Sequence, residues 1–143
     1  MSGKILFHGM YRKNLDSGNR LVIPSSFLKS LGDDQALVGY VHNNEKCIRF
    51  YSASTFEEMV ETVVKNYDEK TRARVQRSFY MNSKYFEPDI RNRVALPQKF
   101  LDAAGIHGSV AIIGVGTRFE VWDEDIYEDM ISVVDASDLK VLF

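Results

Sequence analysis

The strongest constraint on this chain is that it repeats itself. Asp16-Ser-Gly-Asn-Arg20-Leu-Val-Ile-Pro24-Ser-Ser-Phe27-Leu28 matches Asp89-Ile-Arg-Asn-Arg93-Val-Ala-Leu-Pro97-Gln-Lys-Phe100-Leu101, with Arg93 lying 73 residues after Arg20. Asp, Asn, Arg, Pro, Phe and Leu are identical in place, and the residues between Arg and Pro are apolar both times. The match continues in order. Leu37-Val38-Gly39 reads like Ile112-Ile113-Gly114, Phe50-Tyr51 like Val121-Trp122, and Thr55-Phe56-Glu57-Glu58-Met59 like Ile126-Tyr127-Glu128-Asp129-Met130. Three blocks in one order identify a duplication, and a duplication predicts two copies of one supersecondary unit. At 143 residues the chain has the size of one ordinary domain. A unit of about half that length buries little by itself. The two copies are therefore expected to share one core as a single pseudo-symmetric domain.

Each copy reads the same way. A strand leads into Asp-x-x-Asn-Arg, where Asp, Gly and Asn take turn conformations other residues resist. The apolar strand Leu21-Val22-Ile23, or Val94-Ala95-Leu96, follows. Pro24 and Pro97 are expected at the first helical position, where a missing donor costs nothing. Phe27, Leu28 and Leu31, matched by Phe100, Leu101 and Ala104, form the apolar stripe of a short helix. Gly32 and Gly105 stand where a left-handed cap is common. Two strands then follow in each copy, at 36–41 and 47–51 and at 109–115 and 118–122. An amphipathic helix closes each copy. Phe56, Met59, Val60, Val63, Val64 and Tyr67 line the first, capped by Ser54 or Thr55. Ile126, Met130, Ile131 and Val134 line the second, after Asp123. The expected division is a first repeat at 1–67, a connecting helix at 68–79 that either extends the preceding helix or stands alone, and a second repeat at 80–143.

Charge is segregated. The net charge of -2 conceals two basic segments and an acidic one. Lys4, Arg12, Lys13, Arg20 and Lys29 oppose only Asp16 in residues 1–30. Residues 68–99 carry Lys70, Arg72, Arg74, Arg77, Lys84, Arg91, Arg93 and Lys99 against four acids. Residues 119–143 carry eight acids and one lysine, Lys140. A local basic face can bind nucleic acid whatever the overall balance. Arg72, Arg74 and Arg77 are expected to pair with the acidic C-terminal helix of the same or a neighbouring subunit.

Other functions find little support. No stretch approaches the roughly 18 apolar residues of a membrane span, and Ile5-Leu6-Phe7 is too short for a signal-peptide core. A cytoplasmic protein is expected. The single cysteine, Cys47, excludes an internal disulfide framework and a zinc ribbon. His8, His42 and His107 have no metal-ligand spacing, and no Gly-x-Ser-x-Gly elbow occurs. Gly114-Val-Gly116 precedes a strand and reads as a hairpin turn, not a phosphate loop. No catalytic residue, metal, cofactor or small-molecule substrate is expected. Tyr51, Tyr67, Phe86, Trp122 and Phe143 read as core or subunit interface, and Val141-Leu142-Phe143 as an apolar end that docks or frays.

The repeated Asp-x-x-x-Arg, apolar triplet and Pro, together with Phe119-Glu120-Val121-Trp122-Asp123, resemble the MraZ family of bacterial transcriptional regulators over nearly the whole chain. One motif copy alone would point only to the wider AbrB-like swapped-hairpin group, whose antitoxin-like members dimerise to complete the barrel. The resemblance implies an α+β fold, a duplicated, pseudo-two-fold swapped-hairpin β-barrel with flanking helices. It also implies ring-shaped homo-oligomers, nucleoid association, and sequence-specific binding to short DNA repeats upstream of the division and cell-wall gene cluster. The family commonly places a small, glycine-containing pair before Arg. Here the pairs are Gly18-Asn19 and Arg91-Asn92, and Asn tolerates the left-handed conformation well enough to keep the turn.

The resemblance implies DNA contact for Arg20 and Arg93, whose guanidinium groups can fork onto phosphate or guanine. Arg12, Lys13 and Arg91 are candidate phosphate contacts, with Lys84 beside them. Asp16, Asn19, Asp89 and Asn92 are expected to fix the turns. The residues alone also allow an internal Asp–Arg pair in each copy. The competing function is a ring-forming scaffold whose motif loops hold the oligomer together.

Overall fold

The computed structural model describes residues 6–33, 36–42 and 44–131. Its elements run β1 (Met10–Asn14), β2 (Arg20–Val22), α1 (Ser25–Ser30), β3 (Leu37–Val41), β4 (Cys47–Ser52), α2 (Ala53–Val64), α3 (Glu69–Met81), β5 (Ser83–Phe86), β6 (Arg93–Ala95), α4 (Gln98–Ala104), β7 (Ser109–Gly114), β8 (Phe119–Asp123) and α5 (Glu124–Ile131). This is an α+β fold. Six strands form one antiparallel sheet in the order β1-β7-β8-β4-β3-β5, and β2 and β6 form a separate two-stranded ribbon.

The halves are interleaved. β1 of the first copy pairs with β7 of the second, and β5 of the second pairs with β3 of the first. In the ribbon Leu21 stands opposite Val94, with Arg20 opposite Ala95 and Val22 opposite Arg93. Leu21 and Val94 are equivalent residues, so a pseudo-two-fold axis passes between them. It also passes between Arg49 and Glu120, which face each other where β4 meets β8. The swapped-hairpin barrel is thus made by exchange between repeats. It is not closed by hydrogen bonds: β1 and β5 are the edges of the six-stranded sheet.

Alternation sorts the side chains of the central strands to two faces. On the inner face Ile48, Phe50, Phe119 and Val121 pack with Leu21 and Val94 of the ribbon and with Phe27 and Phe100 of the short helices. This cluster draws on both halves. Phe119 lies at its centre, its ring 5.0 Å from Phe50 and nearly parallel at 7°. Phe7 and Phe27 lie 5.1 and 4.9 Å from it. The outer face has two smaller clusters. Val38, Tyr40 and Tyr51 are covered by Phe56, Val60 and Val64 of α2, with Val75 and Phe79 of α3 packed alongside. Cys47, Ala111 and Trp122 are covered by Tyr127 of α5.

Several local expectations change. Pro24 and Pro97 are not the first helical residues but the caps before them, with extended ψ of 133° and 147°. Ser52, and not Ser54 or Thr55, caps α2, its hydroxyl accepting from the Thr55 N–H. The connecting helix is separate from α2, capped by Asp68, and runs on to Met81. Tyr67 follows α2 and is exposed. In α5 it is Tyr127 that is buried, while Met130 is exposed. The Ile131 side chain, Val134, Lys4 and Val141-Leu142-Phe143 lie outside the described residues. Gly32 and Gly105 take the expected left-handed conformation, at φ +67° and +66°, and Gly114-Val-Gly116 does form a β7–β8 hairpin, with Val115 N–H donating to the Arg118 carbonyl.

Candidate nucleic-acid interface

The two motif turns flank the ribbon, and their hydrogen bonds are the same. Asp16 Oδ1 accepts from the N–H of Gly18 and of Arg20, each at 2.9 Å, and Oδ2 accepts from Arg20 Nε at 2.8 Å. Asp89 Oδ1 accepts from the N–H of Arg91 and of Arg93, each at 2.9 Å, and Oδ2 from Arg93 Nε at 2.9 Å. Asn19 and Asn92 hold φ of 58° and 63°, the left-handed region that Asn tolerates. Their carbonyls then cross the ribbon, Asn19 accepting from Leu96 N–H and Asn92 from Ile23 N–H. Each turn therefore hydrogen-bonds the other copy's strand. Arg91 occupies the place of Gly18, so the turn does not depend on glycine there.

The aspartates do two things at once. They satisfy turn N–H groups that would otherwise need solvent, and they fix the guanidinium orientation through Nε. That leaves the terminal nitrogens at the far end of each side chain. Among the described residues those of Arg20 make no hydrogen bond. Nη1 of Arg93 lies 3.7 Å from Asp16 Oδ2, so both arginines address one carboxylate. Arg20, Val22, Arg93 and Ala95 alternate with the buried Leu21 and Val94, so both arginines stand on the ribbon's outer face. Their side chains are 42% and 22% exposed.

Both aspartates are held below the ordinary aspartate range. The main causes are the backbone N–H bonds from Arg20 to Asp16 and from Arg93 to Asp89, with the guanidinium bonds adding to them. A carboxyl depressed on folding binds its proton less tightly in the folded state than in the unfolded one. Its stabilisation is complete above the ordinary value of about 4 and is lost as pH falls through the lower folded value. Asp16→Asn/Asp89→Asn is accordingly expected to melt below the parent chain at neutral pH and to converge with it in strong acid. Thermal melts across pH check this, and a gap of constant size at all pH values would contradict it.

The remaining candidate cations are elsewhere or otherwise engaged. Arg12 projects from β1 to Glu124 and Glu128 of α5 and pairs with both. Lys13, on the opposite face of β1, is half-buried. Arg91 is exposed on the second turn. Lys84 is exposed on β5, its ammonium 5.5 Å from the Phe86 ring centre. Arg72 donates Nε to the carbonyls of Val64 and Tyr67 just before α3, closing the end of α2 as C-terminal cations do. Glu124 and Glu128 of α5 are thus met within the chain by Arg12.

Among the described residues, one group of metal-ligand types comes together. Glu45, Cys47 and Glu120 bring candidate atoms within 4.8 Å of one another. Both carboxylates already have partners: Arg49 for Glu45, and Arg118 and the Trp122 indole N–H for Glu120. Burial, with the two carboxylates adding to it, pushes the Cys47 thiol up to about 12. A cation would have to displace two guanidinium groups and meet a protonated thiol, so the group reads as an ionic network, in which Arg49 Nε is buried without a hydrogen-bond partner among the described residues. Sequence spacing does not signal this grouping, because Glu120 joins it only through the β4–β8 pairing. No helix among the described residues is long and apolar enough to cross a membrane.

Comparison with known proteins adds to this geometry. The family described as "MraZ protein, putative antitoxin-like" matches residues 6–78 and again residues 79–140. A transcriptional regulator MraZ of Acetivibrio thermocellus is 33% identical over 126 residues, covering 86% of this chain and 85% of the relative. One of Mycoplasma mobile is 33% identical over 130 residues, covering 89% and 86%. One of Paenarthrobacter aurescens is 29% identical over 133 residues, covering 92% and 91%.

Proposed function

Belonging to the MraZ family, this chain acts in transcription regulation, and we propose that it does so by binding DNA through the outer face of the β2–β6 ribbon. The observation that carries this reading is the orientation of Arg20 and Arg93. Each is held at Nε by its own turn aspartate on the outer face of the two-stranded ribbon; among the described residues the terminal nitrogens of Arg20 make no hydrogen bond, and Nη1 of Arg93 lies 3.7 Å from Asp16 Oδ2. The major groove admits a two-stranded ribbon, and arginine is the side chain best matched to guanine N7 and O6 there. Arg91 extends the same cationic edge and serves as a phosphate contact, fixing register while the ribbon arginines read bases. Lys13 and Arg12 are phosphate contacts only where the DNA also reaches β1, and Arg12 must first leave Glu124 and Glu128.

One ribbon offers two arginines, which is too few for tight binding by itself. The family resemblance supplies the rest of the proposal: copies assemble in a ring and engage short repeats upstream of the division and cell-wall gene cluster, in association with the nucleoid. Linked sites convert weak single contacts into avid binding. Exposed Tyr80, Met81 and Tyr85 provide apolar surface for contacts between copies.

Fluorescence anisotropy with a duplex from the region upstream of the chain's own gene tests the reading. Arg20→Ala/Arg93→Ala is expected to lose affinity by a hundredfold or more, on the order of 1–3 kcal/mol for each bidentate contact removed. Parent affinity should fall steeply as salt rises, because neutralised phosphates release counterions. Equal, weak binding to the native and a scrambled duplex, unchanged in the double variant, would overturn DNA recognition and leave a ring-forming scaffold.

A further inference from the structure

The two motif turns share a backbone but not a tip. Matched hydrogen bonds place Ser17 and Gly18 at the tip of the first turn and Ile90 and Arg91 at the equivalent points of the second. Ile90 is 99% exposed. It makes no contribution to the core, and its immediate neighbours are Asp89 and Arg91, with Arg93 two residues further on. A single exposed apolar residue is ordinary on a protein surface. This one stands at the tip of a turn whose other exposed groups are the Asp89 carboxylate, which is bonded within the turn, and the Arg91 guanidinium, and whose partner turn carries serine. Across the two turns Arg20, Arg91 and Arg93 outnumber Asp16 and Asp89, and the occupant this favours, on the DNA-binding reading, is a polyanion. DNA also displays one apolar group on its base edges in the major groove, the 5-methyl of thymine.

Resting on the DNA-binding reading, we propose that Ile90 is a base-specificity residue that packs against a thymine methyl group. The β-branched side chain has few rotamers to lose on contact, and the turn that carries it is already held by Asp89. The first turn lacks an equivalent, since the Ser17 hydroxyl gains nothing from a methyl group. The ribbon is therefore two-fold in its arginines and asymmetric in its tips. The base sequence it prefers is correspondingly asymmetric, with thymine required under the second turn and not under the first.

Deoxyuridine, which differs from thymidine by that methyl alone, provides the test. In duplexes from the region upstream of the chain's own gene, each thymine is replaced in turn by deoxyuridine. Binding of the parent chain, Ile90→Ser and Ile90→Val is followed by anisotropy. At one thymine per contacted half-site the parent is expected to lose about fourfold in affinity, the equivalent of one buried methyl-sized group. Ile90→Ser should bind about as weakly to thymine as to deoxyuridine there, and Ile90→Val should keep most of the discrimination. Because Ile90 is outside the core, both variants fold, and unchanged melting temperatures check that. If the parent binds selectively but shows no deoxyuridine-sensitive position, or if Ile90→Ser keeps the parent's profile, the Ile90 assignment fails while DNA binding stands. If Ile90→Ser alters subunit assembly in light scattering and leaves DNA affinity unchanged, Ile90 belongs to a protein contact and the assignment fails. If the parent shows no salt-sensitive binding to any duplex, the DNA reading itself falls and Ile90 with it.

Discussion

Phe119→Ala is expected to lower the free energy of unfolding by about 3–5 kcal/mol, the largest single loss in this chain. Phe119 is fully buried and touches the rings of Phe7, Phe27 and Phe50. Those rings come from the N-terminal segment, from α1 and from β4, so no one of them can move in to fill the space without disturbing another element. The loss combines transfer of the ring to water with the cavity left behind. Domains of this size have only about 5–15 kcal/mol in total, so the variant should sit near its unfolding threshold. Urea denaturation checks the value. A loss under about 0.5 kcal/mol, the range of an ordinary surface substitution, would mean that the cluster is not the common centre of the two halves.

Gly114→Ala should be comparably damaging for a different reason. A Cβ at position 114 would lie 2.5 Å from the backbone nitrogen of His8 and from the carbonyl carbon of Phe7. Both are main-chain atoms, so no side-chain rotation relieves the clash. The segment at Phe7 is held there by a pair of backbone hydrogen bonds with Gly116 and by Gly114 N–H donating to Gly9. Pushing it away breaks those bonds and withdraws the Phe7 ring from Phe27 and Phe119. A loss of about 3 kcal/mol or more is expected, in the range of overpacking combined with core disruption. Hydrogen exchange should show the Phe7 and Gly116 amides losing protection before the rest of the sheet. Uniform protection in the variant would show that the segment adapts.

Much of this fold is written in the repeat. The Asp-x-x-Asn-Arg spacing locates both turns, because Asp and Asn have local reasons to occupy those positions. Phe27, Leu28, Phe100 and Leu101 locate the short helices by their period. The exchange of strands is a different matter. An alternating apolar pattern says that β1 is a strand with one buried face, but any neighbouring edge satisfies it, and nothing local tells β1 to choose β7. The pairing of Arg12 with Glu124 and Glu128 was hidden for the same reason, since it exists only once β1, β7 and α5 are adjacent. Ser52 is hard to read as a cap because it is also the last residue of β4. The candidate site was legible in its turns and in Arg20 and Arg93, whose roles the duplication makes equivalent. Exposure at Ile90 was not, because an isoleucine between Asp and Arg reads equally well as strand or turn.

The ribbon has a consequence for when this surface comes into being. Arg20 lies on a strand whose ladder partner is translated 73 residues later, around Val94. Asn19 and Asn92 each bond to a strand of the opposite copy. A ribosome that stops after the first repeat releases Arg20 without the strand that would hold it in place. Assembly of the ribbon thus registers completed synthesis: a truncated product carries half the motif and none of the platform.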